Sequence, residues 1–118
     1  ALPFKRGFMK TLYISDMDGT LLQSNGKMSD YTKEKLNEFY KQGIPFSVAT
    51  ARSMVSATPL LDGVRFAAPI VLMNGVFVYD TETEKAVKYH EISPSALQRI
   101  LDCFYDKTYN ALCFIKTV

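Results

Sequence analysis

Asp16-Met17-Asp18-Gly19-Thr20-Leu21-Leu22 follows directly on Thr11-Leu12-Tyr13-Ile14-Ser15, a short apolar run rich in strand formers. The run predicts a buried strand, and the segment from Asp16 to Lys27, which carries Gly19, Asn25 and Gly26, predicts a loop. Ligands of open parallel sheets bind beyond the carboxyl ends of the strands, so these two carboxylates lie where a site belongs. One aspartate at a strand end and one in the following turn can project into a single volume, and Gly19 permits a sharp backbone departure there. Two such carboxylates can divide labour. One can attack phosphorus and form an acyl-phosphate, splitting a slow hydrolysis into two easier steps. The other, when protonated, can donate to the leaving oxygen and then take a proton from water. A phosphate facing both is repelled, so a divalent cation is needed, and oxygen ligands favour magnesium.

Working outward, Ser29 or Asp30 can cap a helix with Thr32, Leu36, Phe39 and Tyr40 on one face, and Gly43 suits the position just past its end. Ile44 to Thr50 predicts a second strand, with Pro45 near its start where a missing donor is tolerated. Arg52 to Leu61 has helical character that Pro59 must break or restart. Ile70-Val71-Leu72-Met73 predicts a third strand. The alternation of strand and helix implies a parallel sheet with crossovers, its strands buried on both faces. After that the pattern changes. Val76 to Tyr79 and Ala86 to Tyr89 flank a polar turn and predict a hairpin. Ser93-Pro94 then opens a helix whose apolar face, Leu97, Ile100, Leu101, Phe104 and Tyr105, predicts core packing, and Ala111 to Lys116 predicts a last strand.

Composition places the chain among ordinary globular proteins, with 47% hydrophobic and 22% charged residues. Its length of 118 residues accommodates one compact domain and its own core, and its eight Phe and seven Tyr argue against disorder. The net charge of +2 comes from interspersed signs, so neither a nucleic-acid stripe nor an acidic tail is present. No apolar run approaches the roughly 18–20 residues of a membrane span, and the opening eight residues lack the features of a secretory signal. Cytoplasmic location is therefore the default expectation. Cys103 and Cys113 have neither zinc spacing nor the look of a disulfide framework, and buried reduced thiols are expected.

A bare Asp-x-Asp occurs in turns and in metal-binding loops of unrelated enzymes, but here an apolar strand precedes it and Gly-Thr-Leu-Leu follows. With that context the sequence resembles the haloacid dehalogenase superfamily, whose first motif, Asp-x-Asp-Gly-Thr-Leu after the first strand, matches residues 16–21 in full. The family's second motif is a Ser or Thr ending the second parallel strand, and Val48-Ala49-Thr50-Ala51-Arg52 supplies Thr50, with Ala51 where many members have Gly. Leu72-Met73-Asn74-Gly75 followed by a hairpin is similar to the Cof-type branch, whose members carry a large mixed cap. The likeness covers about residues 9–118.

The resemblance implies an α/β fold: an incomplete Rossmann-like parallel sheet with flanking helices, then a β-hairpin and the start of an α/β cap. It implies that Asp16 attacks phosphorus and binds Mg2+ through its other oxygen. Asp18 would act as general acid and base and give a backbone carbonyl to the metal. Thr50 and the amide of Ala51 would hold the phosphoryl group, helped by the start of the next helix. Arg52, Asn74 and Gly75 would lie near the substrate. The residues themselves leave other readings open: Thr50 as a helix cap, Arg52 as a surface charge, Asn74-Gly75 as a turn, His90 as an ordinary strand residue.

The expected organisation is a leader over 1–8, ahead of a start at Met9-Lys10; the front of the core over 9–92; and the beginning of a cap over 93–118. Family members continue with a phosphate-stabilising lysine and a second acidic motif, neither of which falls within these residues. The expected function is that of a fragment of a magnesium-dependent phosphomonoester hydrolase that acts through an aspartyl-phosphate on sugar phosphates or similar small metabolites; the alternatives are a non-catalytic fragment that self-associates or binds a partner through open strand edges, and a phosphomutase.

Overall fold

The structure, a computed structural model, describes residues 11–107. The expected leader, the Met9-Lys10 start, Cys113 and the strand at 111–116 lie outside the described residues. Strand β1 (Tyr13–Ser15) pairs in parallel with β2 (Phe46–Val48), in the register Tyr13 to Phe46 and Ser15 to Val48. Pro45 precedes β2 and contributes only its carbonyl, which accepts the Tyr13 amide at 3.0 Å. Helix α1 (Asp30–Lys41) crosses between them. Ser29 is its cap, accepting the Thr32 amide at 3.1 Å, and Gly43 takes the left-handed conformation beyond its end at φ 73°.

Helix α2 (Met54–Ala57) is a single turn capped by Ser53, and Pro59 restarts the chain in a tight turn at Thr58–Leu60. Strand β3 (Ile70–Leu72) follows. It pairs antiparallel with β4 (Phe77–Asp80), which pairs with β5 (Lys85–Tyr89), so the expected hairpin joins the sheet at β3. The seam between β2 and β3 is thin. It consists of one parallel bridge, Ala49 to Val71, the Thr50 amide on the Val71 carbonyl at 3.0 Å, and the buried Ser47 hydroxyl donating to the Pro69 carbonyl at 2.6 Å. This gives the expected α/β architecture with the first three strands parallel.

Met17, Val48, Ile70 and Leu72 are fully buried and, with Leu22, Leu36 and Phe66, form the core beneath the strand ends. A polar cluster ties α1 to the hairpin turn. The Tyr40 hydroxyl and Arg65 Nη2 both donate to Glu82, and the Arg65 guanidinium lies 4.2 Å from the centre of the Tyr40 ring.

Three expectations are corrected. Tyr13 and Ile14 of β1 are 53% and 54% exposed, because β2 is the strand's partner among the described residues and its other side is uncovered. Helix α3 (Pro94–Lys107) begins at the Ser93 cap as expected, but Leu97, Ile100 and Tyr105 face solvent instead of a core. Cys103, on the same helix, is a free thiol and is exposed, not buried. Among the described residues, no helix is long and apolar enough to cross a membrane.

Candidate active site

Asp16 leaves β1 in an extended conformation, and its carboxylate accepts the following Met17 amide at 2.7 Å. Met17 is fully buried while Asp16 and Asp18 on either side of it are exposed. The alternation drives the methionine into the core and leaves both carboxylates on the solvent side of the strand end. Asp16 to Lys27 is not wholly irregular, since Met17–Leu21 forms one wide turn closed by the Leu22 amide on the Met17 carbonyl at 2.9 Å. Gly19, at φ 74°, supplies the left-handed residue that turn requires.

Thr50 lies at the end of β2, buried, with its backbone shared between neighbours: its amide donates to Val71 and its carbonyl accepts the Asn74 amide at 3.1 Å. Its hydroxyl accepts the Arg52 amide at 3.1 Å. Thr50 is therefore not the cap of α2, which is Ser53. The Arg52 amide is thereby engaged within the loop. Ala51 is exposed between them. Asn74 is also exposed, at φ 54°, between Met73 at φ 50° and Gly75 at φ 95°. Two consecutive non-glycine residues in the left-handed region cost about 1–2 kcal/mol each, held here by the Met73 amide on the Arg52 carbonyl and the Asn74 amide on Thr50. Asn74-Gly75 is thus a turn ahead of the hairpin, with Asn74 exposed on it. His90 is exposed and its amide donates to the Val76 carbonyl, as an ordinary strand-end residue does.

Arg52 contributes a contact that sequence reading missed. Its Nε and Nη2 donate to Asp18 Oδ2 and Oδ1 at 2.8 and 2.7 Å, and its Nη1 donates to Ser56 Oγ at 2.9 Å. The four-residue spacing of Arg52 and Ser56 was the one local signal; the pairing with Asp18, 34 residues away, had none. Hydrogen bonding from Arg52, with its charge, holds the Asp18 carboxyl below the usual carboxylate range. In this arrangement Asp18 is a carboxylate, the proton-accepting form.

Asp16 and Asp18 offer hard oxygen donors at one strand end, and among the described residues no group of three or more metal-ligating side chains occurs. One or two carboxylates are what magnesium takes from a protein when waters and substrate phosphate oxygens complete its shell, so this donor set fits that ion.

A parallel sheet with an exposed Asp-x-Asp at the end of its first strand defines the class, and comparison with known proteins agrees. The profile of the haloacid dehalogenase-like hydrolases matches residues 13–117, and the chain belongs to that family, in its Cof-type branch. It is similar to a candidate phosphatase, MG265, of Mycoplasma genitalium, at 32% identity over 93 residues, covering 75% of this chain and 34% of that protein. It is also similar to the 5-amino-6-(5-phospho-D-ribitylamino)uracil phosphatase YitU of Bacillus subtilis, at 26% identity over 96 residues, covering 80% of this chain and 35% of that one. Among solved structures, a haloacid dehalogenase-like hydrolase from Bacteroides thetaiotaomicron superposes with a TM-score of 0.71 at 24% identity, covering 81% of this chain and 37% of its own. The chain spans about a third of the length of the curated relatives it matches.

Proposed function

We propose that this site serves hydrolysis of phosphomonoesters of small metabolites, with Asp16 as nucleophile. One Asp16 oxygen bonds to phosphorus as the bond to the leaving oxygen breaks, and Asp18, which first takes up a proton from solvent as its ion pair with Arg52 opens, gives that proton to the leaving oxygen. Water then attacks the acyl-phosphate, Asp18 takes a proton from it, and inorganic phosphate leaves with Asp16 regenerated. Thr50 and the Ala51 amide hold phosphoryl oxygens, and Arg52, Asn74 and Gly75 stand at the substrate rim. Magnesium, held by Asp16 and the Asp18 backbone carbonyl, would supply charge neutralisation of the phosphoryl group.

The observation that carries this reading is the pair of exposed carboxylates flanking a fully buried Met17 at the end of β1. Family membership and the phosphatase names of the relatives support it, and YitU's name supplies the substrate class. The test is magnesium-dependent release of phosphate from an aryl phosphate by the full-length protein and its Asp16→Asn variant. Loss of turnover in the variant is expected, and equal turnover removes Asp16 as nucleophile.

A second reading, association of this chain with itself or a partner through open strand edges, is favoured by the bare Tyr13 and Ile14 of β1. Sedimentation across a concentration series tests it, and a monomer at every concentration overturns it.

A further inference from the structure

We propose that Arg52 is an exchange arm: its guanidinium grips the Asp18 carboxylate at rest, trades it for the substrate's phosphoryl group on binding, and so releases Asp18 toward the leaving oxygen. The proposal rests on the phosphomonoester reading above.

Four features of the geometry point to it. The contact is a two-pronged fork, with Nε and Nη2 on the two Asp18 oxygens at 2.8 and 2.7 Å, and a phosphoryl group presents the same pair of acceptors. The third edge of the guanidinium is held independently, by Ser56 Oγ at 2.9 Å, so the arm keeps a pivot on α2 when Asp18 departs. The Arg52 backbone is fixed on both sides, its amide on Thr50 Oγ1 and its carbonyl under the Met73 amide, which confines motion to the side chain. Finally, the Asp18 and Arg52 side chains are 54% and 31% exposed, and an ion pair that water reaches is weakly held. A phosphoryl dianion carries more charge than the carboxylate it replaces, and so competes with it for the guanidinium. While the fork is closed, both Asp18 oxygens are engaged, so opening it is what makes them available to substrate.

The test is titration of the protein with inorganic phosphate, following the Arg52 Nε–Hε and Thr50 amide resonances by NMR. The Arg52 resonance is expected to shift and saturate together with Thr50. Phosphate affinity is then compared in Asp18→Asn, Arg52→Gln and the double variant. Removing the competing carboxylate should tighten binding about fivefold more when Arg52 is present than when it is Gln, the factor set by the strength of an exposed ion pair. An equal gain in both backgrounds means only relief of repulsion and overturns the exchange. Arg52→Lys, which keeps the charge but not the fork, should lose most of the difference; keeping all of it also overturns the proposal. A Thr50 response without an Arg52 response overturns the exchange while leaving the phosphoryl reading standing, and no response at either removes both.

Discussion

The amide of Asn74 donates to the carbonyl of Thr50 at 3.1 Å, fastening the turn after β3 to the loop after β2. That turn is left-handed, a conformation glycine adopts freely. Asn74→Gly therefore preserves the backbone and deletes only the exposed amide group. Stability measured by urea unfolding should stay within about 1 kcal/mol of the parent, while KM for an aryl phosphate rises severalfold. An unchanged KM would assign Asn74 to the turn alone.

Thr50→Val keeps side-chain shape but takes the hydroxyl away from the Arg52 amide. The expected cost is about 1 kcal/mol of stability from the lost hydrogen bond, together with about a tenfold fall in kcat/KM from the lost phosphoryl donor. Thr50→Ser should restore both. Unaltered kinetics in the valine variant would place Thr50 out of the substrate's reach.

The hairpin turn should be the acid-sensitive part of the fold. The Tyr40 hydroxyl and then Arg65 hold the Glu82 carboxyl below its ordinary range, and the amides of Glu82 and Thr83 do the same for Asp80. A depressed folded-state pKa contributes stability that is fully present above the unfolded value and is lost as pH falls through the folded one. Urea midpoints should therefore fall on acidification below about pH 4. Tyr40→Phe should lower stability at neutral pH by about 1 kcal/mol and flatten that acid limb. An acid limb as steep as the parent's would show that the Tyr40 bond to Glu82 is not its source.

Ser47 is 1% exposed and spends its hydroxyl on the Pro69 carbonyl. Ser47→Ala is expected to cost about 1–2 kcal/mol, read as a lower urea midpoint with an unchanged slope. A shallower slope instead would indicate that the two halves of the sheet no longer unfold together.

What the sequence made legible was local. The apolar run before Asp16, the Ser29 and Ser93 caps, the left-handed Gly43, the restart at Pro59 and the hairpin all rest on signals within a few residues. The Asp-x-Asp motif could be placed at a strand end for the same reason. Contacts across the chain were not legible. Nothing near Asp18 announces a guanidinium 34 residues away, and nothing near Thr50 says that its hydroxyl will face the Arg52 amide while Ser53 takes the cap. Tyr13, Ile14 and the α3 stripe were misread differently. Apolar periodicity records which face seeks cover, and it does not record what provides it.

The thin seam between β2 and β3 has a mechanical consequence. Asp16 and Asp18 ride on one panel of the sheet, Asn74 and Gly75 on the other, and a single bridge with a few amide and hydroxyl links joins the two. Ala49 stands where the two panels meet, its amide on the Ser15 carbonyl and its bridge on Val71, so a slide of one panel along the other would change the spacing between the two rims.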